Sequence, residues 1–231
     1  MVGGTAMLRV WEQGHALSSL ERGALALRTW GRNEDESEFA IDEMNRRLLE
    51  LRSRLFGRKM EFYAECEKCG EALEFSVDAL NLASETGPHS QPPLLVDGRE
   101  MECRPPTAAD ILAAAATPDP RRELVERCLQ ANDGALGTEA EFADLTVERI
   151  EDWLQTQYPL LEIHLGVTCP SCAHKWDQLL DIDAVLWRDI DHQARRLLVD
   201  VDQLARKYGW SESDILELSP QRRIQYLGLS G

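Results

Sequence analysis

Two cysteine knuckles constrain this chain more than any other feature: Cys66-Glu-Lys-Cys69-Gly70 and Cys169-Pro-Ser-Cys172-Ala173-His174. Two residues between paired cysteines let both thiolates point at one ion while turn amides face the sulfurs. Two such knuckles supply the four soft ligands that tetrahedral zinc takes at about 2.3 Å each. The pairs are separated by 99 residues, far more than in a compact zinc ribbon. One shared site therefore requires residues 70–168 to leave it and return. Matched surroundings support this, since a polar turn and an outgoing strand follow each knuckle, in GEALEF and in HKWDQLL. We expect one structural Zn2+ on Cys66, Cys69, Cys169 and Cys172. Lys68 and His174 are placed to offset the excess negative charge of four thiolates. With four protein ligands the site has no position for a catalytic water, so the metal would stabilise the fold. Two reduced knuckles that bind nothing are the bland alternative, and a redox CxxC pair lacks its thioredoxin-like strand–helix context.

The two remaining cysteines have no partner spacing. Cys128 lies in the apolar stripe of Leu124, Val125 and Leu129 and reads as a buried small hydrophobe, with Cys103 a structural thiol.

Hydrophobic patterning divides the 231 residues into five segments. Residues 1–57 form an N-terminal helical segment, in which Gly14 and Gly23 separate short helices. An acidic loop at 33–38 precedes a helical stripe from Ile41 to Leu55, capped by Gly57. Residues 58–105 hold the first knuckle hairpin, where Met60, Phe62 and Ala64 alternate with polar neighbours, as do Leu73, Phe75 and Val77. A loop at 84–93 and a second hairpin turning at Asp97-Gly98 complete that region. Residues 106–158 are a helical insertion that opens on a Thr107 cap with Asp110 three positions later. Residues 159–181 carry the second knuckle hairpin. Residues 182–231 form a long amphipathic helix with Val185, Leu186, Ile190, Ala194, Leu197, Leu198, Val201, Leu204 and Ala205 on one face. Two short helices follow, begun by Ser211 and by Ser219-Pro220, with Trp210 and Ile215 spaced as a hydrophobic staple. The fold class expected is α+β: mainly helical, with a small antiparallel zinc-ribbon-like element built from two CxxC hairpins.

Forty-one acidic against 25 basic side chains give a net charge of −16. Phosphate affinity needs a basic surface, so the charge opposes a nucleic-acid partner and an anionic membrane. No window approaches the length of a membrane span, and the N-terminus shows neither a signal-peptide pattern nor a myristoylation site. A cytoplasmic protein is expected. No Gly-rich phosphate loop, GxSxG elbow or HExxH helix occurs. The histidines are dispersed, and His164, in a strand pattern, reads as a satisfied structural residue. Acidic pairs such as Glu151-Asp152, or Asp189 with Asp191, read as solvated helix faces. No enzyme and no small-molecule substrate are expected.

The order of features carries a resemblance. A Leu-rich helical segment leads to LLELRSRLFGRKMEFYAECEKCGEALEFSVD, then RPPTAADILAAA, then VTCPSCAHKWDQLLDIDAVLWRDI, and last KYGWSESDILELSPQRRIQYL. Over nearly its whole length the chain resembles the zinc-ribbon-bearing baseplate hub and assembly proteins of contractile phage tails and contractile injection systems. The double knuckle is shared by many zinc ribbons, and the closing segment is the more distinctive part. The resemblance implies a baseplate component or assembly factor whose partners are other baseplate or hub proteins. It assigns a docking role to Trp210, Ile215, Leu218, Arg222, Arg223 and Tyr226, together with Ser211, Asp214 and Leu216, with Arg222 and Arg223 facing outward. The alternative reading is a zinc-ribbon adaptor in transcription or nucleic-acid binding, which rests on the ribbon alone.

Overall fold

A computed structural model describes residues 3–31, 39–85, 87, 94–96, 99–130 and 144–229. The acidic run at 33–38, most of the loop at 84–93 and the turn at Asp97-Gly98 lie outside the described residues.

The chain is α+β and mainly helical, with small antiparallel sheets. Three helices come first: α1 (Gly4–Gly14), α2 (Ser19–Trp30) and α3 (Ile41–Phe56). The first knuckle joins β1 (Lys59–Glu65) to β2 (Ala72–Asp78), and β2 runs into the short α4 (Ala79–Ala83). The insertion contains β3 (Leu94–Val96), β4 (Arg99–Cys103), α5 (Ala108–Ala115), α6 (Pro120–Cys128), β5 (Leu129–Gln130) and α7 (Asp144–Gln157). The second knuckle joins β6 (Ile163–Thr168) to β7 (Lys175–Leu180). The chain closes with α8 (Ile182–Tyr208), α9 (Glu212–Glu217) and α10 (Pro220–Gly228).

The long α8 organises the main core. Its buried stripe of Ile182, Val185, Leu186, Ile190, Ala194 and Leu197 packs with Met7, Leu8 and Val10 of α1 and with Met44, Leu48 and Leu49 of α3. Spacings of three and four residues put these side chains on one helical face, and each large one contributes about 1.5–3 kcal/mol on burial. Leu198, expected on that face, is instead 39% exposed. Gly209, at φ 69°, ends α8 in the left-handed conformation that glycine adopts most readily. The insertion has a smaller core of its own, in which Leu94, Val125, Cys128, Leu129, Val147, Ile150 and Leu154 meet. It is tied to the main body by the Ile41 amide, which donates to the Pro106 carbonyl at 2.8 Å, and by Asn45 Nδ2, which donates to the Leu160 carbonyl at 2.8 Å.

Helix starts follow their capping residues. Ser18 with Glu21, Thr107 with Asp110 and Ser211 with Asp214 form reciprocal capping boxes on α2, α5 and α9. Gly23 corrects the expected division of the N-terminal segment, because it lies inside α2 and breaks nothing. A Cβ there would stand 1.7 Å from Asp183 Oδ1, so glycine is what lets α8 approach α2.

Several charged residues also depart from expectation. Asp189 is no solvated helix-face group: its Oδ2 accepts from Arg52 Nε at 2.9 Å. Arg52, buried on α3, also donates from Nη1 to the Gly57 and Lys59 carbonyls at 2.6 and 2.7 Å. It thereby joins the end of α3, the start of β1 and α8. Asp191 accepts the Trp11 indole N–H at 2.8 Å. His164, read as a satisfied structural residue, sits on the outer face of β6 with Glu162 as its partner at 3.3 Å. In each case the partner is distant in sequence or exposure is decided by strand register, and neither shows in local periodicity.

Asp183 has a buried Oδ1 with no hydrogen-bond partner. Burial, helped by the nearby Asp181 charge, pushes its carboxyl up to about 7. A raised carboxyl contributes stability that is present below about pH 4 and lost as pH rises towards 7. Urea unfolding at pH 5 and pH 8 tests this. Asp183→Asn should remove a loss on the order of 3 kcal/mol between those values, whereas an equal loss in both proteins would refute it.

Candidate metal centre

The two knuckles are built from one local plan. A shift of 103 positions carries Cys66 onto Cys169, Cys69 onto Cys172, Gly70 onto Ala173 and Asp78 onto Asp181. The strand register obeys the same shift, since Met60 pairs with Val77 and Ile163 with Leu180, while Glu65 pairs with Ala72 and Thr168 with Lys175. Each turn closes in the same way. The Cys66 amide donates to the Glu71 carbonyl at 2.9 Å and the Cys169 amide to the His174 carbonyl at 2.8 Å. The Gly70 and Ala173 amides return to the carbonyls of Cys66 and Cys169 at 2.8 and 3.0 Å. Each second strand then leads into a helix capped by aspartate, Asp78 on α4 and Asp181 on α8.

This turn requires a left-handed residue directly after its second cysteine. The first knuckle has Gly70 there at φ 72°, and the second has Ala173 at φ 56°, the non-glycine residue with positive φ among the described residues. Alanine in this conformation costs about 1–2 kcal/mol.

The hairpins meet tip to tip. Cys66, Cys69, Cys169 and Cys172 bring their sulfurs within 4.8 Å of one another. Cys66 Sγ lies 3.7 Å from Cys172 Sγ, and Cys69 Sγ lies 3.6 Å from Cys169 Sγ. Both are much longer than a disulfide bond of about 2.05 Å. They match the edge of a tetrahedron with metal–sulfur bonds of about 2.3 Å, whose vertices stand about 3.8 Å apart. The first cysteine of each knuckle is buried, whereas Cys69 is exposed and Cys172 half-buried. The cluster thus has one side in the core and one at the surface.

Its protons are unequally held. Burial works against the Cys169 thiolate, but the amides of Cys172 and Ser171 and hydrogen bonds from Cys69 and Cys172 outweigh it and bring the group down to about 7. The Glu71 amide favours ionised Cys69, yet shared hydrogen bonding with Cys172, burial, and contacts with Cys169 and Cys66 push it up to about 12. Chemically, the arrangement can hold one metal ion in an all-sulfur shell, and residues 70–168 do leave the site and return.

The other candidate residues lie elsewhere. Cys128 is fully buried in the insertion core, and Cys103 is half-buried beside it in β4. Burial pushes both thiols up, Cys103 to about 12 and Cys128 to about 11. In the C-terminal segment Trp210 stacks on Tyr208, with ring centroids 4.6 Å apart, and meets Tyr226 edge-on at 4.9 Å. Ile215 is fully buried and Leu218 partly so. Arg222 is exposed, but Arg223 is only 4% exposed, which corrects its expected outward orientation. It is the fourth residue of α10, one position along from Arg222, and that rotation turns it towards α1 and α8. Among the described residues, no helix is long and apolar enough to cross a membrane. In comparisons with known proteins, the chain matches no family model, no curated protein and no solved structure.

The matched turn positions predict substitutions of opposite sign. Ala173→Gly should raise unfolding stability by about 1 kcal/mol, and Gly70→Ala should lower it by a similar amount. The space around Gly70 is open, its nearest neighbour being Glu65 Oε1 at 3.7 Å, so the second effect is purely conformational. Denaturant midpoints measure both, and shifts of equal sign would contradict the shared plan.

Proposed function

We propose that this protein is a structural or assembly component of the baseplate of a contractile, phage-tail-like injection system, and that its four-cysteine centre holds one structural Zn2+. The observation carrying the metal half is the sulfur geometry, since two sulfur pairs stand 3.6 and 3.7 Å apart and all four lie within 4.8 Å, which suits a tetrahedral ion without geometric preference of its own. A shell closed by four protein ligands leaves no coordination position for substrate or water, which supports a structural rather than catalytic metal. The site joins segments about 100 residues apart, and a clip across such a loop contributes about 4.7 kcal/mol in the chain-entropy model. The baseplate half rests on the sequence resemblance described above.

In this reading the zinc-pinned hairpins are a rigid platform, and the insertion and C-terminal helices present surfaces to other baseplate or hub subunits. The C-terminal helices suit that role in charge. From residue 181 onward nine acidic and seven basic residues nearly balance, in a chain whose net charge is −16.

Metal analysis of purified protein should return about one zinc per chain, and Cys69→Ser or Cys169→Ser should each abolish it. Full zinc retention by Cys169→Ser would show that the knuckles do not share the ion. Deleting the gene from a producing cell should yield particles without a complete baseplate. Normal, contracting particles from the deletion strain would remove the baseplate assignment while leaving the metal result intact.

A further inference from the structure

The buried Arg223 opens a second question, because a guanidinium inside a protein needs an anion or a set of acceptors. Its side chain is 5% exposed, and neither Nε nor Nη1 has a hydrogen-bond partner. Asp200 approaches Nε to 3.8 Å, near enough for attraction and too far for a hydrogen bond. Burial raises the Asp200 carboxyl, with the Arg223 and Arg196 charges opposing that shift.

Arg223 lines a cavity of about 430 Å3 between the start of α1, the ends of α2 and α3, the middle of α8 and the start of α10. Three further donors or positive ends converge there. The Trp30 indole N–H is buried without an acceptor. Arg54, on the rim, donates from Nη2 to the Trp30 carbonyl and keeps its charge at the mouth. The N-terminal turn of α1 begins at Gly4 on the cavity wall, and its N-cap, Gly3, offers no side-chain cap. A Cβ at Gly4 would stand 3.1 Å from Arg223 Nη1, so the guanidinium rests against the positive end of a helix. Asp200 offsets this only from 3.8 Å, so two like charges packed together in a poorly solvated place stay incompletely compensated. Met7, Leu55, Phe56 and Leu197 supply the apolar part of the wall.

We infer that this cavity is a binding site for a carboxylate carried on an apolar body. Arg223 and the α1 amides hold the carboxylate, the Trp30 N–H adds a donor, and the apolar wall covers the aliphatic part. Arg223 and Arg54 line the cavity, and Asp200 behind it is shared with Arg196, so the site is net positive and suits an anion. The volume suits a ligand of small-molecule size or one acidic side chain with its apolar neighbours. Both sources share this chemistry. The inference stands apart from the baseplate assignment and from the metal centre.

The test is NMR titration of the full-length protein, following the Trp30 indole N–H, one of six such signals and identified by its loss in Trp30→Phe. Hexanoate should shift it saturably with a dissociation constant below about 10 mM. Hexanol, which lacks the charge, and acetate, which lacks the body, should each bind at least about tenfold more weakly. Arg223→Met should abolish the response. Arg54→Gln, at an exposed rim position, should weaken it about threefold or more and guards against a folding defect in the first variant. An acetylated and amidated Leu-Leu-Glu-Leu peptide separates the sources. Tighter binding than hexanoate assigns the site to a partner's acidic segment, and weaker binding assigns it to a free organic acid. The proposal is overturned by no saturable shift with hexanoate or peptide, by equal response to hexanol or acetate, or by an unchanged response in Arg54→Gln.

Discussion

The approach of two hairpin tips to within a few ångströms is the constraint on which the rest of this structure depends. It brings together chain segments separated by nearly half the sequence, and everything between them must begin and end at one place. The insertion meets that demand by folding around its own small core and touching the main body at the Ala40–Thr107 bridge, the Ile41–Pro106 hydrogen bond and the Asn45 side chain on the Leu160 carbonyl. The α8 helix meets it from the other side, because β7 delivers the chain directly into the aspartate cap that starts it.

A second level of organisation lies in buried charge. Arg52 and Asp189 connect α3, β1 and α8, with the guanidinium satisfied by two carbonyls as well as the carboxylate. Arg223 is the opposite case, equally buried, with two nitrogens that have no hydrogen-bond partner and Asp200 no nearer than 3.8 Å. A completed network rigidifies its surroundings, and an incomplete one marks a place where a group from outside can bind. The contrast between these arginines separates the part of the molecule that holds itself together from the part available to a ligand.

Much of this architecture was legible in the amino-acid sequence because it is written in local terms. The α3 and α8 stripes follow helical periodicity, the knuckle strands alternate, and Thr107, Ser211 and Pro220 mark helix starts by chemistry that acts within one turn. The metal-ligand candidates were legible for the same reason, since a CxxC turn is local and their shared site was suggested by matching flanks. What escaped depends on partners far away. Nothing near Gly23 announces Asp183, nothing near Arg52 announces Asp189, and the burial of Arg223 is fixed by how α10 settles against α1 and α8.

The split arrangement of the cysteines also sets an order of assembly. During synthesis at about 5–20 residues per second, the first hairpin emerges several seconds before the second has been made. Throughout that interval Cys66 and Cys69 are half a donor set, and α1 and α3 lack the α8 surface on which they pack. The insertion core, assembled from residues 94–154, has all its residues synthesised before α8 is made. Such a nascent chain is exposed to mispairing of thiols and to engagement by chaperones until its last third appears. Closure of the four-cysteine centre and of the α1–α3–α8 core both wait on the same late stretch of chain.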